Sequence, residues 1–211
     1  MTDYSFVSDD NIKENVKLFK EAAIFLFDLD ENVGILGANW RPPEGKKALG
    51  YFSEDGIEVG KESGDTTEIK GHNGDTVLSD TNGAYFTIKT TALEVKKDTV
   101  ELYFSTKVKD DGTVEVDANA SAPHKKLVLA GLDQHGKLIV CYCPEIQVSE
   151  IESFNWKNSE LFNLGMTFRT FRSNRGLDKK LDLVFYGLVG GKAVAPASSS
   201  ETAPAGSSES H

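Results

Sequence analysis

The stretch from Leu49 to Val95 most constrains how this chain can fold. It reads LGYFSEDGIEVGKESGDTTEIKGHNGDTVLSDTNGAYFTIKTTALEV, two strand-like ends (Leu49–Phe52 and Tyr85–Val95) joined by about thirty acidic, Gly-punctuated residues. Compact domains seldom carry structureless connections beyond about 12–15 residues unless the loop has a job or is disordered. Thr66–Ile69 and Thr76–Leu78 keep β-forming Thr, Ile and Val inside the connection. Two readings follow: an extended arm or hairpin that orders against another surface, and a mobile surface loop. Between Ser53 and Asp75 seven acids face two lysines, a net of −5. Any one of these acids reads as part of a solvated face, whereas the group reads as a surface for a basic or polar partner.

The rest of the chain reads as strands. Ala22–Phe27 is a continuous apolar run bounded by Asp28 and Asp30, the pattern of a buried strand. Trp40 is expected to pack over the loop that Pro42, Pro43 and Gly45 announce. In Tyr85–Val95, Phe86, Ile88, Thr90 and Ala92 fall on one side and Tyr85, Thr87, Lys89 and Thr91 on the other. Asp111-Gly112 between β-like flanks signals a hairpin, with Val114 and Val116 pointing one way and Glu115 and Asp117 the other. Lys125–Ala130, Lys137–Tyr142, Gly165–Phe171 and Leu181–Tyr186 are further strands, and Leu138–Cys143, apolar on both faces, is expected to be central. In residues 1–20, Ile12, Val16 and Phe19 have helical spacing, and an extended arm fits equally. The final stretch, residues 190–211, is Ala, Ser, Pro, Gly, Glu and Thr for the most part. It cannot bury enough apolar surface to offset ordering entropy and is expected to be disordered in a free monomer. The expected organisation is an arm at 1–20, a β domain at 21–189 with a long assembly loop at 53–80, and a tail at 190–211.

Leu49–Ile57 (LGYFSEDGI), Thr67–Asp75 (TEIKGHNGD) and a long strand ending Ala92-Leu93-Glu94 together resemble the major tail tube protein of long, non-contractile-tailed bacteriophages. The likeness runs from about residue 20 to 187 and is densest between Leu49 and Phe104. The chain departs from the family pattern at Gly71-His72 and at Leu78-Ser79-Asp80. The resemblance implies a mainly β fold, an antiparallel β-sandwich or small barrel with one short α-helix. It places that helix at Thr99–Phe104, behind an Asp98 N-cap and with Val100, Tyr103 and Phe104 on one face. By propensity alone Thr-Val-Glu-Leu-Tyr-Phe reads equally as a strand. The resemblance further implies hexameric rings stacked into a tube around a tape-measure protein, ending at tail-tip and terminator proteins, with genomic DNA passing through the channel. The site residues expected at the contact between subunits are Ser53, Glu54, Asp55, Gly56, Ile57, Thr67, Glu68, Ile69, Lys70, Gly71, His72, Asn73, Gly74 and Asp75. Glu115 and Asp117 are candidates for an acidic channel wall.

Charge and chemistry narrow the alternatives. A net charge of −10 argues against a nucleic-acid binder, which needs a basic stripe to displace counterions from phosphates. A conduit has the opposite need, since like charge keeps the polyanion off the wall. No run reaches the roughly 18 apolar residues of a membrane span and no apolar leader opens the chain, so the subunit is expected to be made in the host cytoplasm and carried in the virion tail. Cys141 and Cys143 project to one face near the roughly 7 Å limit for a disulfide, so free thiols are expected. His72, His124, His135 and His211 sit apart and in no motif. No nucleophile elbow, phosphate loop or zinc-binding helix is present, so no catalytic residue, metal or cofactor is assigned. The rivals are a contractile-tail or secretion tube and a glycan-binding virion β-sandwich, with an enzyme last.

Overall fold

The computed structural model describes residues 11–70, 72–73 and 75–189 of the 211. Residues 1–10 and 190–211, on which part of the expected arm and the expected tail fall, lie outside the described residues. The strands are β1 (Phe19–Phe27), β2 (Phe52–Glu62), β3 (Asp65–Lys70), β4 (Thr76–Asn82), β5 (Tyr85–Ala92), β6 (Lys125–Asp133), β7 (Leu138–Ile151), β8 (Leu164–Thr170) and β9 (Val184–Tyr186), with a helix α1 (Lys97–Phe104) after β5. Every strand pairing is antiparallel. Seven strands form one sheet in the order β1-β6-β7-β8-β5-β2, with β9 added beside β7, and β3 and β4 pair as a two-stranded sheet. The mainly β, antiparallel class is therefore the observed one, as a sheet curled into a half-barrel.

β7 is the centre of this arrangement because it can be dry on both faces. Cys141 and Cys143 point into one apolar cluster, and Val140 and Tyr142 into another on the opposite face. The first cluster draws on Ile24 of β1, Leu127 of β6, Phe168 of β8, Ile88 of β5 and Val59 of β2. One core fed by the first and last strands of a single sheet requires that the sheet curl around it. Leu102 and Tyr103 of α1 complete that core. The second cluster lies under the connection from β1 to β2, where Trp40 packs edge-on to Phe25 at 5.2 Å and donates from Nε1 to the Val33 carbonyl at 2.8 Å. Each large side chain buried in this way contributes about 1.5–3 kcal/mol relative to exposure. Both cysteines are free thiols within the inner core, where a hydrogen bond from one to the other, then burial, pushes the Cys143 pKa well up.

Pro144 shows how the sequence shapes the sheet locally. Lacking an N–H, it cannot donate to a ladder. The β6–β7 register shifts at that point, from Leu127 opposite Cys143 to Lys125 opposite Ile146. After the bulge Ile146 and Val148 face the inner core, so the apolar side is kept.

Several local expectations need correction. β5 ends at Ala92 and does not run to Val95. There the Glu94 side chain takes over from the backbone, its Oε1 accepting the Tyr51 N–H at 2.9 Å. The helix starts two residues earlier than expected, capped at Lys96, and Asp98 sits inside its first turn. Thr99 accounts for the difference, because its hydroxyl accepts the Lys96 N–H at 2.8 Å and donates to the Glu94 carbonyl at 2.9 Å. Burial on α1 falls on Thr99, Leu102 and Tyr103, with Val100 and Phe104 packed at the margin. The Asp111-Gly112 signal yields a tight turn with one bridge, Val108 to Val114, and no strand through Val114–Asp117. No sheet edge lies alongside to continue the ladder, so Val116 is left 56% exposed. The last strand is the three residues of β9, not Leu181–Tyr186. The helical spacing of Ile12, Val16 and Phe19 produces a single 3-10 turn, Lys13–Asn15, before extended chain.

That extended chain is held by the β6–β7 turn. The Gln134 side-chain amide accepts the Leu18 N–H at 2.8 Å and donates to the Val16 carbonyl at 2.6 Å, acting as a one-residue strand. Beside it the buried Asp133 carboxylate accepts the N–H groups of Lys137 and His135, at 2.9 and 2.8 Å, and pairs with Lys17 at 3.1 Å. The Lys137 N–H first, then that of His135 and the Lys17 ammonium, hold its pKa down to about 2. A carboxylate with a depressed folded pKa stabilises fully above its unfolded value, and that contribution is lost as pH falls through the folded pKa. Asp133→Asn is therefore expected to lower the thermal midpoint at pH 7, with the gap to the parent chain closing between about pH 4 and pH 2. A second substitution has the opposite sign. Ser105 ends α1 at φ 52°, ψ 37°, a left-handed conformation that costs an L-residue about 1–2 kcal/mol. Against the roughly 0.5–1 kcal/mol of extra glycine entropy, Ser105→Gly should stabilise by about 0.5–1 kcal/mol in denaturant titration.

Candidate assembly surfaces

The long connection is a hairpin arm. β2 pairs β5 from Ile57–Thr90 to Glu62–Tyr85, and β3 pairs β4 from Asp65–Asn82 to Ile69–Leu78. The residue numbers of opposed partners keep one constant sum across both ladders, so the two sheets are one hairpin in unbroken register. Pairing lapses only at Ser63-Gly64 and Gly83-Ala84, where Gly83 at φ 81° takes a conformation other residues resist. Below this joint the hairpin belongs to the half-barrel: Ile57 and Val59 pack on the inner core. Above it, β3 and β4 pair only with each other among the described residues.

The expected contact residues fall in two separate places on this hairpin. Ser53, Glu54, Asp55 and Gly56 form a bulge at its base, since Phe52 opposes Ala92 and Ile57 already opposes Thr90. Gly56 makes the bend at φ 75°, Glu54 and Asp55 are exposed, and the buried Ser53 hydroxyl has no hydrogen-bond partner. Thr67, Glu68, Ile69 and Lys70 lie in β3, opposite Asp80, Ser79, Leu78 and Thr76. His72, Asn73 and Asp75 are exposed at the tip, where Asn73 bonds Asp75; Gly71 and Gly74 lie outside the described residues. At roughly 3.3 Å per residue, the ten steps from Ile57 to Thr67 separate bulge and tip strand by about 30 Å. Glu115 and Asp117 sit on neither, but in the exposed connection from α1 to β6. Glu115 is ion-paired with Lys109, and Asp117 accepts the Asn119 N–H at 2.9 Å.

The sheet has further incomplete surfaces. β1 and β2 each have one strand partner among the described residues, so each leaves an edge. On β1 the edge is partly met by Leu49, whose N–H donates to the Ile24 carbonyl at 2.8 Å and draws the two ends of the curled sheet together. The outer face of β5 and β8 carries Tyr85, Thr87, Lys89, Thr167 and Arg169. Lys89 pairs with Glu152 at 2.7 Å, which raises the lysine pKa, and the Arg169 guanidinium lies over Tyr85 at 4.0 Å. His124, expected as a plain loop histidine, is half-buried against Phe171 and 3.0 Å from Glu145. A cleft of about 820 Å³ between α1 and the end of β1 is lined by three ion pairs, Lys46 with Glu31, Lys107 with Glu101 and Lys125 with Asp28, and by Lys47 and Asp98.

Sequence reasoning passed over Trp156. It lies in the connection from β7 to β8 and is 88% exposed. The base of that connection is fixed by edge-on ring contacts, Phe154 with Phe162 at 4.8 Å, with Phe104 at 6.2 Å and with Tyr103 at 6.1 Å. The available signal was a tryptophan set among Asn155, Lys157, Asn158 and Ser159, where no apolar period explains it.

These features are those of a subunit with unfinished edges and a projecting hairpin. Comparison with curated proteins gives no match. A family model described as phage tail tube protein matches residues 36–179, which includes the hairpin arm, α1 and the sheet from β2 to β8. No described helix is long and apolar enough to cross a membrane. With well over half its length covered by that match, the chain belongs to the phage tail tube protein family, a structural component of the virion tail.

Proposed function

We propose that copies of this chain form hexameric rings that stack into the tube of a long, non-contractile tail, assembled around a tape-measure protein and capped by tail-tip and terminator proteins. The genome then passes down the channel on ejection into the host. The observation that carries this reading is the in-register hairpin that runs past the last sheet contact into β3 and β4. A two-stranded hairpin alone is marginal in water. A strand edge presented beyond the core is a template for another chain's strand. Family membership says that the tube is made of such subunits, and a head-to-tail contact that closes makes a ring. Residues of the bulge, Ser53–Ile57, and of the arm, Thr67–Asp75, are the contact residues in this reading, and the net −5 of that stretch selects a polar or basic seat.

Concentrated protein is expected to form hollow tubes by electron microscopy. Subunits that stay single at every concentration, and also when seeded with tail tips, would overturn the proposal. Amides of β3 and β4 should exchange quickly in the free subunit and slowly in the tube; equal protection in both states removes the arm from the contact. Glu115 and Asp117 are assigned to the channel wall, where their charge repels phosphate. Tubes of the double variant E115K/D117K should therefore retain duplex DNA at low salt that parent tubes release. Identical retention would take these two residues off the wall.

A further inference from the structure

We infer that rings stack through a single aromatic anchor, Trp156 of one copy seated in the groove beside Trp40 of the next. The inference rests on the tube reading above. A nearly bare indole on a pinned connection is the composition of a binding hot spot: a large rigid apolar side chain that loses little entropy when covered. Its base is fixed by Phe154, Phe162, Phe104 and Tyr103. The connection therefore holds the ring out without needing to refold.

The molecule also carries a hollow of matching kind. An apolar groove of about 270 Å³ lies on the outer face of β1, β6 and β7, lined by Ala23, Phe25, Trp40, Pro42, Ala130 and Leu138 and rimmed by Glu21. That is below the roughly 300 Å³ at which small-molecule sites begin, and on the scale of one aromatic side chain. Charge selects the same partner. Glu21 has no ion pair among the described residues, whereas Lys157, next to Trp156, holds only an exposed i,i+3 pair with Glu160 at 2.8 Å. Exposed pairs of that kind are weak, so Lys157 is free to exchange Glu160 for Glu21 of another copy.

Position decides that the contact is between copies and that it repeats. The groove includes Leu138, the first residue of β7, and Trp156 follows Ile151, the last. Fourteen residues of strand put the two ends of β7 on the order of 40 Å apart, with the groove at one end and the Trp156 connection leaving from the other. A patch on one end that fits a hollow on the other gives a heterologous contact that does not close, and it propagates along an axis.

The test uses the full chain and its two tryptophans, of which Trp40 is 4% exposed and serves as an internal reference. In free subunits iodide should quench Trp156 and spare Trp40. In tubes the Trp156 emission should shift to the blue and lose its iodide sensitivity. Trp156→Ala should raise the concentration needed for tubes roughly tenfold or more while rings persist. The swaps E21K and K157E should each do the same, and the E21K/K157E pair should restore stacking. Tubes in which Trp156 stays quenchable, or W156A tubes forming at the parent concentration, would overturn the anchor and leave the tube reading intact. Parent protein that forms no tubes would remove both.

Discussion

A sheet is finished only when every strand has a partner along both edges, because an unpaired backbone group shut away from water is costly. β7 comes nearest to that condition, with partners on both edges at Val140–Tyr142 and at Ile146. β6 runs along one edge, and β9 and then β8 run along the other. Its buried faces hold two cores apart, Cys141 and Cys143 on one side and Val140 and Tyr142 on the other. Moving outward from β7 the accounting runs short. β1 and β2 close on each other through little more than the Leu49–Ile24 bond, and the hairpin beyond Glu62 has no third strand among the described residues. The deficit sits at the periphery, where another copy can reach it.

The same periphery is guarded against indiscriminate pairing. The β2 edge is broken at its base by the Ser53–Gly56 bulge, with two exposed acids, and bulges and charge are how natural sheets blunt their edges. The first residues of β1 carry Lys20 and Glu21, and Phe19 lies across the bare backbone of Gly131. Such edges are open to a partner that brings the right shape and charge and closed to a flat strand. That distinction is what separates ring formation from aggregation.

How much of this was legible in the sequence follows from where apolar periodicity exists. The run Ala22–Phe27, the two-sided run Leu138–Cys143 and the alternation of Tyr85–Ala92 all announced strands, since burial imposes their pattern. Trp40 announced its packing over the Pro42-Pro43 loop. The arm announced its ends and, through the β-forming residues of Thr66–Ile69 and Thr76–Leu78, its two strands, but not their register, because a two-stranded ribbon outside the core has no apolar period and its register is carried by backbone bonds. The expected contact residues form two runs of the sequence, Ser53–Ile57 and Thr67–Asp75, and the hairpin sets those runs at its base and toward its tip. The Asp98 cap failed on a competing hydroxyl, that of Thr99. The Val114–Val116 alternation failed because period without a neighbouring edge makes no strand. Trp156 stayed hidden because exposure, unlike burial, leaves no repeat.

Many of the cations of this subunit are taken up by partners within it. Lys89 is held by Glu152, Lys109 by Glu115, Lys125 by Asp28, and Glu145 lies beside both His124 and Arg175. Arg169 spends its charge over the Tyr85 ring. An ammonium already paired is less available to neutralise a phosphate, and neutralised phosphates release the counterions condensed on DNA, which drives non-specific binding. With a net charge of −10, the subunit repels a polyanion at long range, while Arg41, Lys47, Lys61 and Lys137 are among the cations that stand in no ion pair among the described residues. On the tube reading, a wall built from many identical copies multiplies any residual attraction along its whole length, so the net repulsion summed over those copies is what keeps a polyanion off the wall.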